Sequence, residues 1–204
     1  MLLLVAKAHE TISQYHYRNL GRFCGPRNYH RMTDSVRAGF VWAADNDAYH
    51  GFKDKAYERM LDQLEGVPAC LFVTCPDVVG DADQTFQAFR RWVGDIQGRG
   101  FPLGYVAQDG ATIKTLPWAD INTLFIGGST EWKLSEDSRR LVDYATGRGK
   151  WVHMGRVNSA RRLKVAKSWG VDSIDGTELS WFTDTKLPGR IEQAASAPQL
   201  TLGN

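Results

Sequence analysis

Residues 69–109 read ACLFVTCPDVVGDADQTFQAFRRWVGDIQGRGFPLGYVAQD, and this stretch decides the fold. Two short apolar segments, Ala69–Thr74 and Pro102–Ala107, flank the longer segment Ala82–Arg99. Large apolar side chains of the longer segment recur with helical spacing: Phe86, Phe89, Trp92, Val93 and Ile96. Uninterrupted apolar runs of this length are typical of strands buried on both faces of a parallel sheet. The stretch therefore predicts a strand–helix–strand unit with parallel strands.

The same alternation repeats on both sides of this unit. Further apolar runs are predicted to be strands: Leu2–Ala8, Ala38–Ala44, Thr123–Ile126, Trp151–Met154 and Val171–Ile174. Further helices are predicted in three places: Asp54–Leu64, Ser135–Gly147 and Ser159–Gly170. Serine favours the start of a helix and glycine its end. This order predicts an α/β fold, a small (β/α)₈ TIM-like barrel with one degenerate strand, with a doubly wound open sheet as the alternative.

The length of 204 residues suits one domain. We expect a single barrel over residues 1–187, with a loop at 9–33 that is rich in arginine and aromatic residues. Residues 188–204 lack hydrophobic periodicity and are expected to form a flexible tail.

The composition limits the classes of protein and of site. A formal net charge of +2 does not indicate a protein that binds phosphate without selectivity. The three cysteines, Cys24, Cys70 and Cys75, lack metal-ligand spacing and fit a reduced compartment. No apolar run approaches the length of a membrane span. The expected location is therefore the cytoplasm, with no membrane contact and no bound metal.

Arginines and aromatic residues alternate near the N-terminus. Five arginines fall within twenty residues of one another, the first four of them in the predicted loop: Arg18, Arg22, Arg27, Arg31 and Arg37. Aromatic side chains stand between them: Tyr15, Tyr17, Phe23 and Tyr29. Arginine binds phosphate and aromatic rings stack on bases, so the loop is a candidate nucleic-acid contact. A solvated, partly packed loop with no ligand is the alternative.

Polar residues and glycines follow almost every predicted strand directly. They are Asp45, Asp77, Gln108-Asp109, Gly127-Gly128, Gly155-Arg156 and Asp175-Gly176. In a parallel barrel the carboxyl ends of all strands share one face, which is where ligands bind. Any one of these residues could be a helix cap or a turn residue. Their convergence predicts a site.

The residue types restrict the chemistry of that site. The histidines show no metal-ligand spacing with cysteine or carboxylate, and His153, inside an apolar strand, is interpreted as a core residue. No Gly-x-Ser-x-Gly motif is present. Two aspartates remain, and a carboxylate pair can carry out displacement at a sugar carbon, one as nucleophile and one as proton shuttle.

Six short motifs appear in the order found in one enzyme family. They include Asp45-Asn46-Asp47-Ala48-Tyr49, Asp77, Val106-Ala107-Gln108-Asp109-Gly110, Gly127-Gly128, His153-Met154-Gly155 and Gly170-Val171-Asp172-Ser173-Ile174-Asp175. Between residues 39 and 176 the chain resembles the tRNA-guanine transglycosylase superfamily. It is most similar in character to the phage and bacterial DNA-acting branch, which inserts 7-deazaguanine bases.

The resemblance implies a role for each matching residue. Asp175 would be the nucleophile and Asp45 the general acid and base. A further set would bind the base: Tyr49, Asp77, Gln108, Gly127, Gly128, Met154 and Gly155. In that set Tyr49 stacks on the purine, Met154 forms the opposite wall, and the Gly128 amide binds the purine carbonyl. Arg156 and the loop arginines are candidate phosphate contacts, although Arg156 could instead pair with an aspartate.

The chain also departs from the family pattern. Asn46-Asp47-Ala48 replace glycines after Asp45, which would crowd the loop or add a polar contact. The zinc-binding insertion of the tRNA enzymes is missing, which favours DNA over tRNA as the partner. The implied reaction exchanges guanine for a free 7-deazaguanine base without a cofactor. An N-glycosidase with the same site and a non-catalytic purine or nucleic-acid binding protein are the alternatives.

Overall fold

The computed structural model describes residues 1–6, 19–37 and 39–176, together with 189 and 192; the side chains of residues 31 and 37 are not included. The described chain contains eight strands: β1 (Leu2–Val5), β2 (Leu20–Cys24), β3 (Trp42–Ala44), β4 (Cys70–Thr74), β5 (Leu103–Ala107), β6 (Thr123–Ile126), β7 (Trp151–Met154) and β8 (Ser173–Asp175). Each strand pairs in parallel with the next, and β8 pairs with β1. The sheet is therefore a closed eight-stranded barrel, which confirms the TIM-like fold and excludes the open sheet.

Helices lie between most of the strands. They are α1 (Met32–Arg37), α2 (Asp54–Leu64), α3 (Ala82–Gly98), α4 (Thr130–Lys133), α5 (Glu136–Thr146) and α6 (Ala160–Ser168). Two 3₁₀ turns lie at Tyr29–Arg31 and Ala48–His50. The predicted serine caps are confirmed, because Ser135 and Ser159 each accept a hydrogen bond from a backbone N–H in the first turn of α5 and α6.

Side chains alternate between two apolar clusters along each strand. One cluster lies inside the barrel and comprises Leu4, Phe23, Ala43, Phe72, Val106 and Phe125. The other lies between the barrel and its helices and contains Leu3, Val5, Trp42 and Leu124, among many others. This alternation is the period of two that strands impose. Because three phenylalanines fill much of the barrel interior, the polar groups that a ligand could reach lie at its carboxyl end, here called the mouth.

The strand missing from the sequence-based prediction is β2. Gly21 and Arg22 interrupt its apolar pattern, so residues 20–24 resembled part of a loop. The prediction of one loop over 9–33 is therefore wrong for this part, although residues 7–18 lie outside the described residues. A β-carbon on Gly21 would lie 2.8 Å from Leu4 Cδ2 and 3.1 Å from Val41. Glycine at this position therefore lets β1 pack against the β2 backbone.

The remaining predictions concern the C-terminal tail, Arg18 and the absence of a membrane span. The proposed tail at 188–204 and Arg18 fall outside the described residues, apart from Gly189 and Glu192. None of the described helices is long and apolar enough to cross a membrane.

Candidate active site

The barrel brings the residues predicted at separate strand ends into one small pocket. This inner pocket has a volume of about 80 Å³. It is lined by Phe23, Asp45, Ala48, Tyr49, Asp77, Val79, Val106, Gln108, Phe125, Gly127, Arg156 and Asp175. Both predicted catalytic aspartates and four of the predicted base-binding residues, Tyr49, Asp77, Gln108 and Gly127, therefore share one cavity.

Asn46 organises the side of the mouth formed by β3 and β4. The amide nitrogen of this buried side chain lies 2.8 Å from Asp77 Oδ1, 2.9 Å from the Cys75 carbonyl and 3.1 Å from Thr74 Oγ1. Its Oδ1 accepts a hydrogen bond from the Ala48 amide at 2.8 Å. Asparagine after Asp45 therefore adds polar contacts, one of the two effects expected from the sequence.

Gln108 plays the equivalent part on the opposite side. Its Nε2 donates to Asp77 Oδ2 at 2.6 Å, while its Oε1 accepts from the amides of Gly80 and Gly128, both at 2.9 Å. The acceptor of this side chain is therefore already used. A ligand could be met only by the second N–H of the Gln108 amide.

The predicted use of the Gly127-Gly128 turn as a base-binding amide is not compatible with this geometry. The Gly127 amide donates to the Ala107 carbonyl at 3.0 Å, and the Gly128 amide donates to Gln108. The two glycines have a steric role instead. A β-carbon on Gly128 would lie 2.6 Å from the Trp132 ring and 2.7 Å from Asp109 Oδ2.

Gly128→Ala is expected to lower the free energy of unfolding by about 2–4 kcal/mol, because the φ of +66° and these two contacts both penalise a side chain. The matched control is Gly149→Ala, where φ is +65° and nothing lies within 4 Å of the added carbon. The control should lose only about 1 kcal/mol. Urea unfolding of both variants measures the difference, and equal losses would show that the contacts around Gly128 carry no energy.

Asp45 lies at the end of β3 with its carboxyl group facing the inner pocket. Thr74 Oγ1 donates to its Oδ1 at 3.2 Å. Burial, together with the nearby carboxylates of Asp77 and Asp175, raises the pKa of Asp45 to about 7. A carboxyl group with this pKa exchanges a proton readily near neutral pH.

The same shift predicts a pH-dependent effect of Asp45 on stability. A carboxyl group whose pKa is raised from 3.8 to about 7 contributes stability at low pH that is lost as the pH rises through about 7. Asp45→Asn should therefore be more stable than the wild type at pH 8, by about 1–3 kcal/mol once the partial exposure of the side chain is considered. Urea unfolding should show that the gain disappears near pH 4, whereas an equal gain at both values would contradict the assigned cause.

Asp77 is held from two sides. Its two oxygens accept hydrogen bonds from Asn46 and Gln108, and burial raises its pKa to about 6. These two amides and the charge of Arg156 act in the opposite direction and limit the rise. Each carboxylate oxygen can accept a second hydrogen bond. Asp77 therefore keeps acceptor capacity for a ligand in the inner pocket.

Asp175 and His153 form the third polar part of the mouth. His153 Nε2 lies 3.0 Å from Asp175 Oδ1, which also accepts from the Arg156 amide at 3.1 Å. His153 Nδ1 lies 2.8 Å from Ser173 Oγ, and Trp151 Nε1 donates to the same oxygen at 2.8 Å. Sequence reasoning placed His153 in the core, and the ring is indeed fully buried. Its contact with Asp175 was not foreseen.

The set Ser173, His153 and Asp175 is not a nucleophilic triad. Ser173 is fully buried inside the barrel, two residues before the mouth. Its hydroxyl therefore cannot reach a substrate. Ser173 Oγ contacts Nδ1 of His153 and the Asp175 carboxylate contacts Nε2, so the buried serine orients the ring.

Arg156 adopts a left-handed backbone conformation, with φ of +55°. This conformation is rare for a side chain of this size and marks a constrained position. Its Nη2 donates to the Gly128 carbonyl at 2.5 Å, and its Cζ lies 4.9 Å from the centre of the Tyr49 ring. The guanidinium therefore stacks against the aromatic ring that is expected to hold a purine.

Lys133 contacts the backbone of Gly155, the residue before Arg156. This buried lysine donates from Nζ to the Gly155 carbonyl at 2.5 Å. Burial lowers the pKa of Lys133 to about 7, and the charge of Arg156 acts in the same direction. Gly155 itself has no room for a side chain, since a β-carbon would lie 2.5 Å from the Phe125 ring. Nothing in the sequence analysis pointed to Lys133.

The prediction that Met154 forms a pocket wall is wrong. Met154 is fully buried and packs in the cluster between the barrel and its helices, together with Ile126 and Ile174. On β7 the side chain that points inward is that of His153, the residue before it. The alternation of side chains along a strand explains the difference.

The predicted nucleic-acid-binding arginines have different outcomes. Arg22 is buried on β2, between Leu20 and Cys24, and faces the layer behind the barrel, so its predicted ligand contact is wrong. Arg27 is exposed and pairs with Asp47 through Nε at 2.6 Å and Nη2 at 2.8 Å. Arg31 lies in a 3₁₀ turn with its side chain outside the described residues.

Arg27 borders a second and larger cavity beside the inner pocket. This side cavity has a volume of about 410 Å³. It is lined by Leu4, Ala6, Phe23, Cys24, Gly25, Arg27, Asn28, Asp45, Asp47, His50, Asp175 and Gly176. Phe23, Asp45 and Asp175 thus belong to both cavities.

Neither a metal-binding set of side chains nor a reactive thiolate is found among the described residues of the mouth. Among the described residues, no three His, Cys, Asp or Glu side chains form a set that could hold a metal ion. Burial raises the pKa of Cys70 to about 12 and raises those of Cys24 and Cys75 as well.

Comparison with known proteins gives the fold alone. The sequence matches no protein family and no curated protein. Among solved structures the chain is similar to 3-hexulose-6-phosphate synthase from Salmonella typhimurium, with 14% identity and a TM-score of 0.57. The match covers 95% of this chain and 96% of that chain. The neighbour is a TIM-barrel enzyme, and at this identity the likeness shows the fold and no reaction.

Proposed function

We propose that this chain is a DNA guanine transglycosylase that exchanges guanine for a 7-deazaguanine base by double displacement at C1′. The observation that carries the proposal is that Asp45 and Asp175 line both cavities of the mouth. A nucleotide with its base in the inner pocket and its sugar in the side cavity would place the glycosidic bond between the two carboxyl groups. That is where a nucleophile and a proton shuttle must act.

The lining of the inner pocket supports a planar base as the ligand. The only large hydrophobic side chains exposed among the described residues are Tyr49, at 65%, and Val79, at 44%, and both line this pocket. An exposed apolar rim next to buried polar groups is typical of a binding site. Asp77 and the remaining N–H of Gln108 offer an acceptor and a donor that fit the guanine edge.

In the first step, an oxygen of Asp175 forms a bond to C1′ as the bond from C1′ to N9 breaks. The electron pair of that bond passes to N9, which takes a proton from Asp45. The result is free guanine and a covalent link between the sugar and Asp175. The raised pKa of Asp45, about 7, supports its role as the proton donor.

In the second step, the incoming 7-deazaguanine gives its N9 proton to Asp45 as N9 bonds to C1′. Asp175 leaves as a carboxylate, so the chain returns to its starting state. Two inversions at C1′ retain its configuration. No cofactor is needed, because one glycosidic bond replaces another.

Binding of a base requires Arg156 to move away from Tyr49. The volume of the inner pocket, about 80 Å³, is far below that of typical ligand pockets, which hold roughly 300–1,000 Å³. The target base must also leave its stack before it can enter. Separation of the guanidinium from the ring would open the face on which the base stacks.

DNA is favoured over tRNA because the chain lacks the zinc-binding insertion of the tRNA enzymes that it resembles. Arg27 stands on the rim of the side cavity and is a candidate contact for a backbone phosphate of either polymer. Asp47 holds the Arg27 side chain in place at that rim.

Incorporation of labelled guanine tests the proposal. The chain is incubated with duplex DNA, single-stranded DNA and tRNA in parallel, together with the Asp175→Asn variant. Label in DNA that is lost in the variant is the expected result. Label in tRNA alone would change the substrate, release of base without incorporation would indicate an N-glycosidase, and purine binding without either would indicate a binding protein.

A further inference from the structure

Both hydrogen bonds that the structure describes for the Asp175 carboxylate end on the same oxygen. His153 Nε2 and the Arg156 amide reach Oδ1 at 3.0 Å and 3.1 Å. The carboxylate side chain is 15% exposed and lines both cavities of the mouth. One oxygen is therefore held by the protein, whereas none of the hydrogen bonds described for Asp175 involves the other.

The direction of the hydrogen bonds behind Asp175 follows from donor chemistry. Trp151 Nε1 can only donate, so Ser173 Oγ accepts from it. An ionised Asp175 can only accept, so His153 Nε2 must carry a hydrogen. A neutral ring then has a bare Nδ1, and the Ser173 hydroxyl donates to it across 2.8 Å. In this series of hydrogen bonds, which runs from Trp151 through Ser173 and His153 to Asp175, every donor then has an acceptor.

A charged imidazolium would break this arrangement. Both ring nitrogens would then donate. Ser173 Oγ would accept from Trp151 Nε1 and from His153 Nδ1, and the Ser173 hydroxyl hydrogen would lose Nδ1 as its described acceptor. Ser173 is fully buried, so water offers no simple replacement. Burial also lowers the pKa of His153 and thereby favours the neutral ring.

The ring of His153 cannot turn away from this position. Its centre lies 4.4 Å from that of Phe125, 5.3 Å from that of Phe72 and 5.6 Å from that of Phe23. Aromatic packing of this density fixes a side chain within the barrel interior. A histidine that is locked in place and bonded at both nitrogens is built to orient its partner.

We propose that His153, held as the Nε2–H tautomer by Ser173 and Trp151, positions Asp175 through Oδ1 so that Oδ2 is the oxygen that bonds to the sugar carbon. This assignment rests on the proposed function. His153 touches no substrate atom and acts through Asp175 alone. The proton on Nε2 stays with the ring, because a neutral donor is enough to hold the carboxylate.

Substitution of His153 separates positioning from simple packing. His153→Leu removes both nitrogens, whereas His153→Gln keeps an amide N–H that can reach Asp175. With single-turnover release of guanine from DNA as the measurement, His153→Leu should lower the rate about 100-fold and leave the KM for DNA within about twofold. His153→Gln should recover the rate to within about tenfold of the wild type. Equal loss in both variants, or a loss in KM alone, would overturn the positioning role.

Nitrogen NMR of the histidine ring tests the hydrogen-bonded chain independently of activity. The expected wild-type spectrum has a protonated Nε2 and a bare Nδ1, and Ser173→Ala should shift the tautomer ratio and lower the rate about tenfold. A protonated Nδ1 in the wild type would overturn the proposal. If His153→Leu does not fold, His153→Gln and Ser173→Ala decide the outcome. Absence of exchange in the wild type would refute the proposed function and with it the attack by Oδ2, whereas the ring measurement would still test the tautomer.

Discussion

Asp175→Asn is expected to lower the rate of base exchange by roughly four orders of magnitude while leaving the barrel folded. An amide oxygen can still accept from His153 and from the Arg156 amide, so the two bonds at Oδ1 survive. The amide group has no charge and is a poor nucleophile, so no covalent link to the sugar forms. The rate of label exchange into DNA and the urea unfolding curve measure the two effects.

The control for this variant is Asp143→Asn, which removes an exposed carboxylate of α5 whose partner Arg139 lies 3.7 Å away. It should retain the wild-type rate, because a weak surface ion pair contributes little. Exchange within tenfold of the wild type in Asp175→Asn would remove Asp175 from the role of nucleophile.

Asp45→Asn should lower the rate of guanine release from DNA by about 10²–10³-fold, because the leaving base loses its proton donor. In the wild type this rate should fall as the pH rises above about 7, since burial and the carboxylates of Asp77 and Asp175 place the pKa of Asp45 there. The variant should show no such fall. Single-turnover release between pH 5 and pH 9 measures both.

If the rate of guanine release still falls above pH 7 in Asp45→Asn, the loss of a proton from another group causes that fall. Lys133, whose pKa burial lowers to about 7, is the described group that would also lose a proton in this range. Lys133→Met removes the charge with similar side-chain volume and serves as the matched control. The fall in rate above pH 7 should persist in Lys133→Met.

The sequence was sufficient to predict which residues meet at the mouth of the barrel. Parallel strands fix which chain segments end at the mouth, so Asp45, Asp77, Gln108 and Asp175 could be grouped from their positions after apolar runs. The failure at β2 has a local cause. Gly21 and Arg22 give this strand no apolar run, and only its pairing with both neighbours in the closed barrel identifies it.

Side-chain direction and hydrogen-bond partners were harder to predict. His153 and Met154 are adjacent on β7, and their side chains point to opposite faces of the sheet. An alignment that is off by one residue therefore assigns the interior position to Met154 instead of His153. The Gly128 amide was expected to face a ligand, but Gln108, twenty residues earlier, reaches it first. Contacts of this kind depend on how neighbouring strands place their ends, which residue spacing along the chain does not encode.

A covalent intermediate on Asp175 is the most direct test of the central claim. The chain is mixed with guanine-containing DNA in the absence of an incoming base, denatured within one turnover, and digested for mass mapping. The account predicts a DNA adduct on the peptide that carries Asp175, which disappears when guanine is added before denaturation. Release of guanine with no adduct at any time, or an adduct on another residue, would contradict it.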